Sequence, residues 1–197
     1  MNQKVIKAFI AAFLALGVVF IGIKVTKPMF EKHKDAVRYK FDLNTIDGPI
    51  KLEDFKGKVV ALYFGYMYCP DVCPTSLSRL SEALNALSDE EQKNFQGIFV
   101  SVDPKRDSLE HLKGYASYFH KNFIGATIDD EKYLHELTER YGGYFRKVKL
   151  KGSKMGYSVN HTSDIFLFDK SGNYSSKIPH MAKQEDMISA LHKAEGR

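Results

Sequence analysis

Residues 58–66, KVVALYFGY, limit what this chain can fold into more than any other segment. β-Branched and aromatic side chains run through it with no polar alternation, so neither face of such a strand is suited to water. A strand of this kind belongs in the middle of a sheet covered on both faces, and helices are the usual cover. The flanking sequence supplies candidates for both. Tyr39 to Thr45 alternates as a strand, Asp47-Gly48-Pro49 is a turn, and Ile50 to Leu52 is a short second strand. Thr75 to Leu87 has a helical stripe at Leu77, Leu80, Ala83, Leu84 and Leu87, with Thr75 or Ser76 available as a cap. Gly97 to Val102 is a second buried strand. Helices are expected over Ser108 to Phe119 and from Asp129 or Asp130 to about Tyr141-Gly142-Gly143. Thr162 to Phe168 and Tyr174 to Ile178 form a hairpin around Asp169 to Gly172, and Lys183 to Lys193 is a final helix. The order β-β-β-α-β-α-α-β-β-α predicts an α/β domain with a mixed sheet flanked by helices, over residues 38–197.

The chain's only two cysteines, Cys69 and Cys73, directly follow the buried strand. In open α/β sheets, reactive groups collect just beyond the C-terminal ends of central strands. Pro70 and Pro74 follow the cysteines, which puts the pair at or just before a helix start. There the free N–H groups favour a thiolate, which is both a nucleophile and a metal ligand. Two cysteines this close are not a disulfide scaffold. They are a redox-active pair, part of a metal site, or two structural cysteines. Three residues lie between them, one more than in common dithiol oxidoreductases, and the wider gap favours a metal without excluding a disulfide. Two thiolates suit Cu(I), and an added imidazole would also suit Cu(II).

Seven histidines could supply that imidazole. His33 lies in a charged stalk, and His111, His120, His135 and His192 fall in or beside expected helices, where a solvent-facing role is the default. His180 follows Pro179 and could pack or cap. His161 differs by opening an apolar strand after a long Gly- and Lys-rich loop, so it can face the cysteine loop. Position alone leaves the choice open.

The net charge of +5 does not mark a nucleic-acid binder. Lys4, Lys7 and Lys24 flank an apolar run, and without them 26 basic residues face 24 acidic ones, a weak footprint for phosphate binding. Ala8 to Ile23 is unbroken apolar or glycine sequence, about 24 Å long as a helix, and Val5, Ile6 and Val25 with snorkelling lysines extend it to a membrane span. Residues 1–25 are therefore expected to be an N-terminal transmembrane helix, with a cleaved signal segment as the competitor, and 26–37 a stalk. Either reading sends the following domain across a membrane.

Several segments in order resemble the Sco/SenC family: Val59 to Tyr66, then Cys69-Pro-Asp-Val-Cys-Pro-Thr-Ser-Leu77, Val100-Ser-Val-Asp-Pro104 with Arg106-Asp107, Val159-Asn-His-Thr162, and Ile178-Pro-His180 before the last helix. The resemblance runs from about residue 40 to 195. It implies a thioredoxin-like fold and one copper ion per domain, as Cu(I) or Cu(II), held by Cys69, Cys73 and His161. It also implies a part in assembling cytochrome c oxidase, by delivering copper to the binuclear centre of subunit II or by reducing that subunit's cysteines. The implied partners are subunit II, a periplasmic copper donor and a thiol reductant. The implied location is a single-pass protein of the inner membrane with its domain in the periplasm. Asn160-His161-Thr162 has no proline, where thioredoxin-type reductases usually carry one, which again points to a ligand rather than a substrate-binding turn. Asp71 and Asp103 are expected only to supply local charge and turns. A metallochaperone is thus expected rather than an enzyme with turnover. A periplasmic thiol–disulfide oxidoreductase acting through Cys69 and Cys73 is the alternative, and a peroxiredoxin-like peroxidase a more distant one.

Overall fold

The apolar run forms β3 (Val59–Gly65), and all seven of its residues are buried. In the computed structural model, which describes residues 38–197, β3 is the central strand of a five-stranded sheet. On one side it pairs in parallel with β4 (Phe95–Ser101), which pairs in parallel with β5 (Phe123–Ala126). On the other side it pairs antiparallel with β8 (Ile165–Phe168), which pairs antiparallel with β9 (Tyr174–Ile178). The order is β5-β4-β3-β8-β9, the mixed sheet that the alternation of elements implied. The membrane segment expected at 1–25 and the stalk at 26–37 lie outside the described residues. Among the described residues no helix is long and apolar enough to cross a membrane.

Helix α1 (Val72–Asn85) buries Leu77, Leu80, Ala83 and Leu84, the stripe visible in the sequence. Its start precedes the expected Thr75. Asp71 occupies the N-cap position, Thr75 donates its hydroxyl to the Asp71 carboxylate, and Ser76 donates to the Val72 carbonyl. A short helix α2 (Asp89–Gln92), absent from the expected order, is closed by a capping box between Ser88 and Glu91. Ser108 and Asp130 cap α3 (Leu109–Phe119) and α4 (Glu131–Arg140). The last helix, α5 (Gln184–Glu195), packs on α1 and β9.

A small hairpin, β1 (Asp42–Thr45) with β2 (Gly48–Lys51), precedes a 3₁₀ turn at Leu52–Phe55. Tyr39 and Phe41, expected within the first strand, lie before it but are buried. Two further differences matter for the site. β5 was not expected, because Phe123–Ala126 is short and contains Gly125. The stretch expected as a Gly- and Lys-rich loop forms a second hairpin, β6 (Phe145–Lys149) with β7 (Tyr157–His161). His161 therefore ends β7 rather than opening the next strand, which begins at Ile165.

Candidate metal centre

Cys69 lies in the turn between β3 and α1, its N–H donating to the Tyr66 carbonyl at 3.2 Å. Cys73 is the second residue of α1 and is fully buried, while Cys69 is half-buried. The Cys73 backbone N–H points at the Cys69 sulfur, 3.4 Å away. This is the free N–H of a helix start directed at a sulfur, the geometry that favours a thiolate there. Gly65, the last residue of β3, leaves room for the second sulfur. A Cβ at that position would lie 2.8 Å from Cys73 Sγ and 2.7 Å from the Phe99 ring.

The third donor arrives from the β6–β7 hairpin. His161 Nε2 lies 3.2 Å from Cys73 Sγ, and its Nδ1 lies 2.9 Å from the Thr162 carbonyl. A carbonyl only accepts, so Nδ1 carries a proton, and Nε2 is the ring nitrogen that faces the sulfurs. A hydrogen bond to the distal nitrogen is also the usual way of orienting a metal-binding imidazole. Tyr63 and Tyr66 hold the ring by edge contacts, with centroids at 6.1 and 5.8 Å. The ligand atoms of Cys69, Cys73 and His161 all lie within 4.8 Å of one another. Two sulfurs and one imidazole nitrogen, so close, fit a soft or borderline metal ion.

The two thiols are held apart in acidity. A hydrogen bond from the Cys73 thiol draws Cys69 far below the ordinary thiol range, against the opposing effect of burial, and hydrogen bonds from His161 and from the N–H groups of Cys73 and Asp71 add to it. Burial pushes Cys73 up, and the neighbouring Cys69 sulfur pushes it further. Of the two, the outer sulfur is the more readily ionised. The site opens at a depression lined by Cys69, Tyr66, Tyr144, Asn160 and His161.

Of the other histidines among the described residues, none joins this cluster. His111 is exposed on α3. His120 accepts from the Asn122 N–H, and His135 stacks on Phe145 at 3.8 Å. His180 Nδ1 meets the buried Ser76 hydroxyl at 2.7 Å, and His192 sits partly buried on α5. His33 lies outside the described residues.

Asp103 does more than form a turn. Its carboxylate is fully buried, pairs with Arg106, and accepts from the Tyr157 hydroxyl at 2.7 Å. Arg106 lies 3.7 Å over the Tyr157 ring, 5.1 Å from Tyr68 and 5.7 Å from Tyr66, and donates to the Tyr157 carbonyl at 2.9 Å. Asp107 accepts from the Met67 N–H at 3.0 Å and the Ser101 hydroxyl at 2.6 Å. This knot joins the turn carrying Cys69 to the hairpin carrying His161. The sequence signalled no such role for Arg106 and Asp107, because the backbone groups that they bond at Tyr157 and Met67 are 51 and 40 positions away.

A family model described as SCO1/SenC matches residues 30–195. A SCO2-like protein of Rickettsia felis is 31% identical over 185 residues, covering 88% of this chain and 89% of the relative. Among solved structures, the apo Sco1 protein from Thermus thermophilus is similar with a TM-score of 0.68 and 34% identity, covering 80% of this chain and 90% of that one. Bradyrhizobium japonicum ScoI with copper bound is similar with a TM-score of 0.68 and 33% identity, covering 79% and 97%. The thioredoxin-like mixed sheet flanked by helices is common to them.

Proposed function

The chain belongs to the SCO1/SenC family, and from that membership we propose that it holds one copper ion on Cys69, Cys73 and His161 and serves in the assembly of cytochrome c oxidase. The Sco family is described as one of cytochrome c oxidase assembly proteins, and the Bradyrhizobium japonicum structure holds copper. The observation that carries the reading is the convergence of the three donor atoms within 4.8 Å. Copper is cargo here. The Cys69 thiolate is ready to receive it, and Cys73 must give up its proton as the ion is taken. His161 Nε2 completes the set, which lets the same site retain the ion as Cu(I) or as Cu(II).

The finer reading is delivery of copper to the binuclear centre of subunit II by a protein anchored in the inner membrane through residues 1–25, with its domain in the periplasm. The apolar run of Ala8 to Ile23 supports the anchor. Complementation tests this. In cells lacking the protein, Cys69→Ser and His161→Ala should both abolish active oxidase, and added copper should partly restore it.

A second reading is favoured by the acidity difference between the sulfurs. As a reductase, the Cys69 thiolate attacks a client disulfide and releases one client thiolate. Cys73 then loses its proton and attacks the Cys69 sulfur, releasing the second client thiol. Two electrons pass to the client and the pair ends as a disulfide. Oxidase activity that survives His161→Ala but not Cys69→Ser would favour this role over copper carriage.

A further inference from the structure

Residues 38–197 carry 23 basic and 22 acidic side chains, so their charge nearly balances. The balance is not local. Between Gly142 and Ser163 stand Arg146, Lys147, Lys149, Lys151 and Lys154 with no acidic residue, while the rest of residues 38–197 has 18 basic against 22 acidic. These five cations sit on the β6–β7 hairpin, whose last residue is the ligand His161. Lys147 is bonded to Glu131 at 2.8 Å. Among the described residues the other four form no ion pair, and all four are exposed. Like charges gathered on one hairpin repel each other, and among the described residues only Glu131, through Lys147, offsets that repulsion by an ion pair.

Their position relates them to the site. Arg146 lies directly across from Asn160, the neighbour of His161, and both are exposed. Tyr144, 59% exposed, lines the mouth together with Cys69 and His161, and Tyr68, 51% exposed, flanks the cysteine turn. Exposed tyrosines beside an arginine are the composition of a protein contact surface.

We propose that the β6–β7 hairpin and Tyr144 form the docking surface for a protein partner whose own metal- or thiol-bearing site is ringed by acidic side chains. This deepens the copper reading and rests on it, because Tyr144, Asn160 and His161 line the opening through which cargo or electrons must pass, and the cations extend along the hairpin from there. A protein is a better match than an anionic bilayer. Lipid drawn against this hairpin would cover the mouth and offer nothing to accept what leaves it. The cations steer the encounter, an effect that reaches 10-fold to 1,000-fold in association rate at low salt and is screened as salt rises.

The experiment uses the copper-loaded full chain and, as probe, the soluble copper domain of cytochrome c oxidase subunit II. The variant R146E/K149E/K151E/K154E should bind copper with an unchanged spectrum, since none of the four is a ligand. Its transfer rate should fall about tenfold or more at low salt, and the two rates should converge near 1 M salt, where the screening length is about 3 Å. The glutamine set at the same positions should give an intermediate rate, and it serves if the reversed hairpin does not fold. Equal rates at low salt with an intact copper spectrum would overturn the docking surface and leave the copper reading standing. If the wild-type chain takes up no copper, the copper reading fails, and the same comparison is made on disulfide exchange with that domain, where equal rates again overturn the surface. The membrane arm uses vesicles of three parts phosphatidylcholine to one part phosphatidylglycerol. Vesicle binding that depends on the four cations, with a transfer rate that does not, would assign the hairpin to lipid and overturn the protein partner.

Discussion

At the scale of single residues, the site depends on a missing side chain as much as on its ligands. Gly65 is where the central strand passes close to Cys73, and a methyl group there would lie 2.8 Å from the sulfur. Gly65→Ala should destabilise the fold by about 1–3 kcal/mol and weaken copper binding, read by urea unfolding and by competition with a copper chelator. Wild-type values in both would show that the sulfur does not need this space. The two cysteines should also differ in reactivity. Folding holds Cys69 far below its ordinary value near 9, so its thiolate stabilises the metal-free fold fully above that value. The contribution shrinks as pH falls toward the depressed folded pKa and vanishes below it. Iodoacetamide should therefore modify Cys69 at nearly constant rate from pH 6 to 9 and leave Cys73 largely untouched. A rate for Cys69 rising tenfold per pH unit over that range would contradict the assignment. The cysteine pair was plain in the sequence because both members sit in one short motif. Position marked His161 out among the histidines but did not decide the choice, since Cys73, which it faces, is 88 residues away in the chain.

Among the elements, the β6–β7 hairpin separates what could be read in the sequence from what could not. Its glycines and lysines resemble a loop, and only Phe145 and Val159 of its ten strand residues are buried. Its position comes from tertiary contacts, among them the burial of Phe145 and Val159 in the core and the Arg106 stack on Tyr157. Arg106→Ala would leave the buried Asp103 carboxylate without its cation and should cost about 3 kcal/mol. Arg106→Lys should recover only part, because an ammonium cannot reproduce the planar stack and forked donors. Urea unfolding checks both, and a loss below about 1 kcal/mol in the alanine variant would mean the knot is not what holds the hairpin. β5 was missed for a related reason. Its Gly125 reads as a breaker, yet it is the point where α3 lies against the sheet, and an added Cβ would meet the Leu112 backbone carbonyl at 2.3 Å. Gly125→Ala should destabilise the fold by about 3 kcal/mol, because backbone cannot step aside as a flexible side chain can. A thermal unfolding midpoint equal to wild type would refute this packing.

Across the whole described domain, the sheet brings together two distant parts of the chain. The turn after β3 and the first turn of α1 supply the two sulfurs, and the hairpin before β8 supplies the nitrogen, while β3 and β8 are neighbours in the sheet. The central strand and its helical cover were legible because burial on both faces leaves an unbroken apolar run. The meeting of the ligands was not, because it depends on which strands become neighbours. The copper site depends on that meeting, and X-ray absorption of the copper-loaded full chain tests it most directly. One copper per chain with two sulfurs and one imidazole nitrogen in its inner shell is the predicted result, with the nitrogen lost in His161→Ala. A shell that lacks either sulfur, or that is unchanged in His161→Ala, would contradict it.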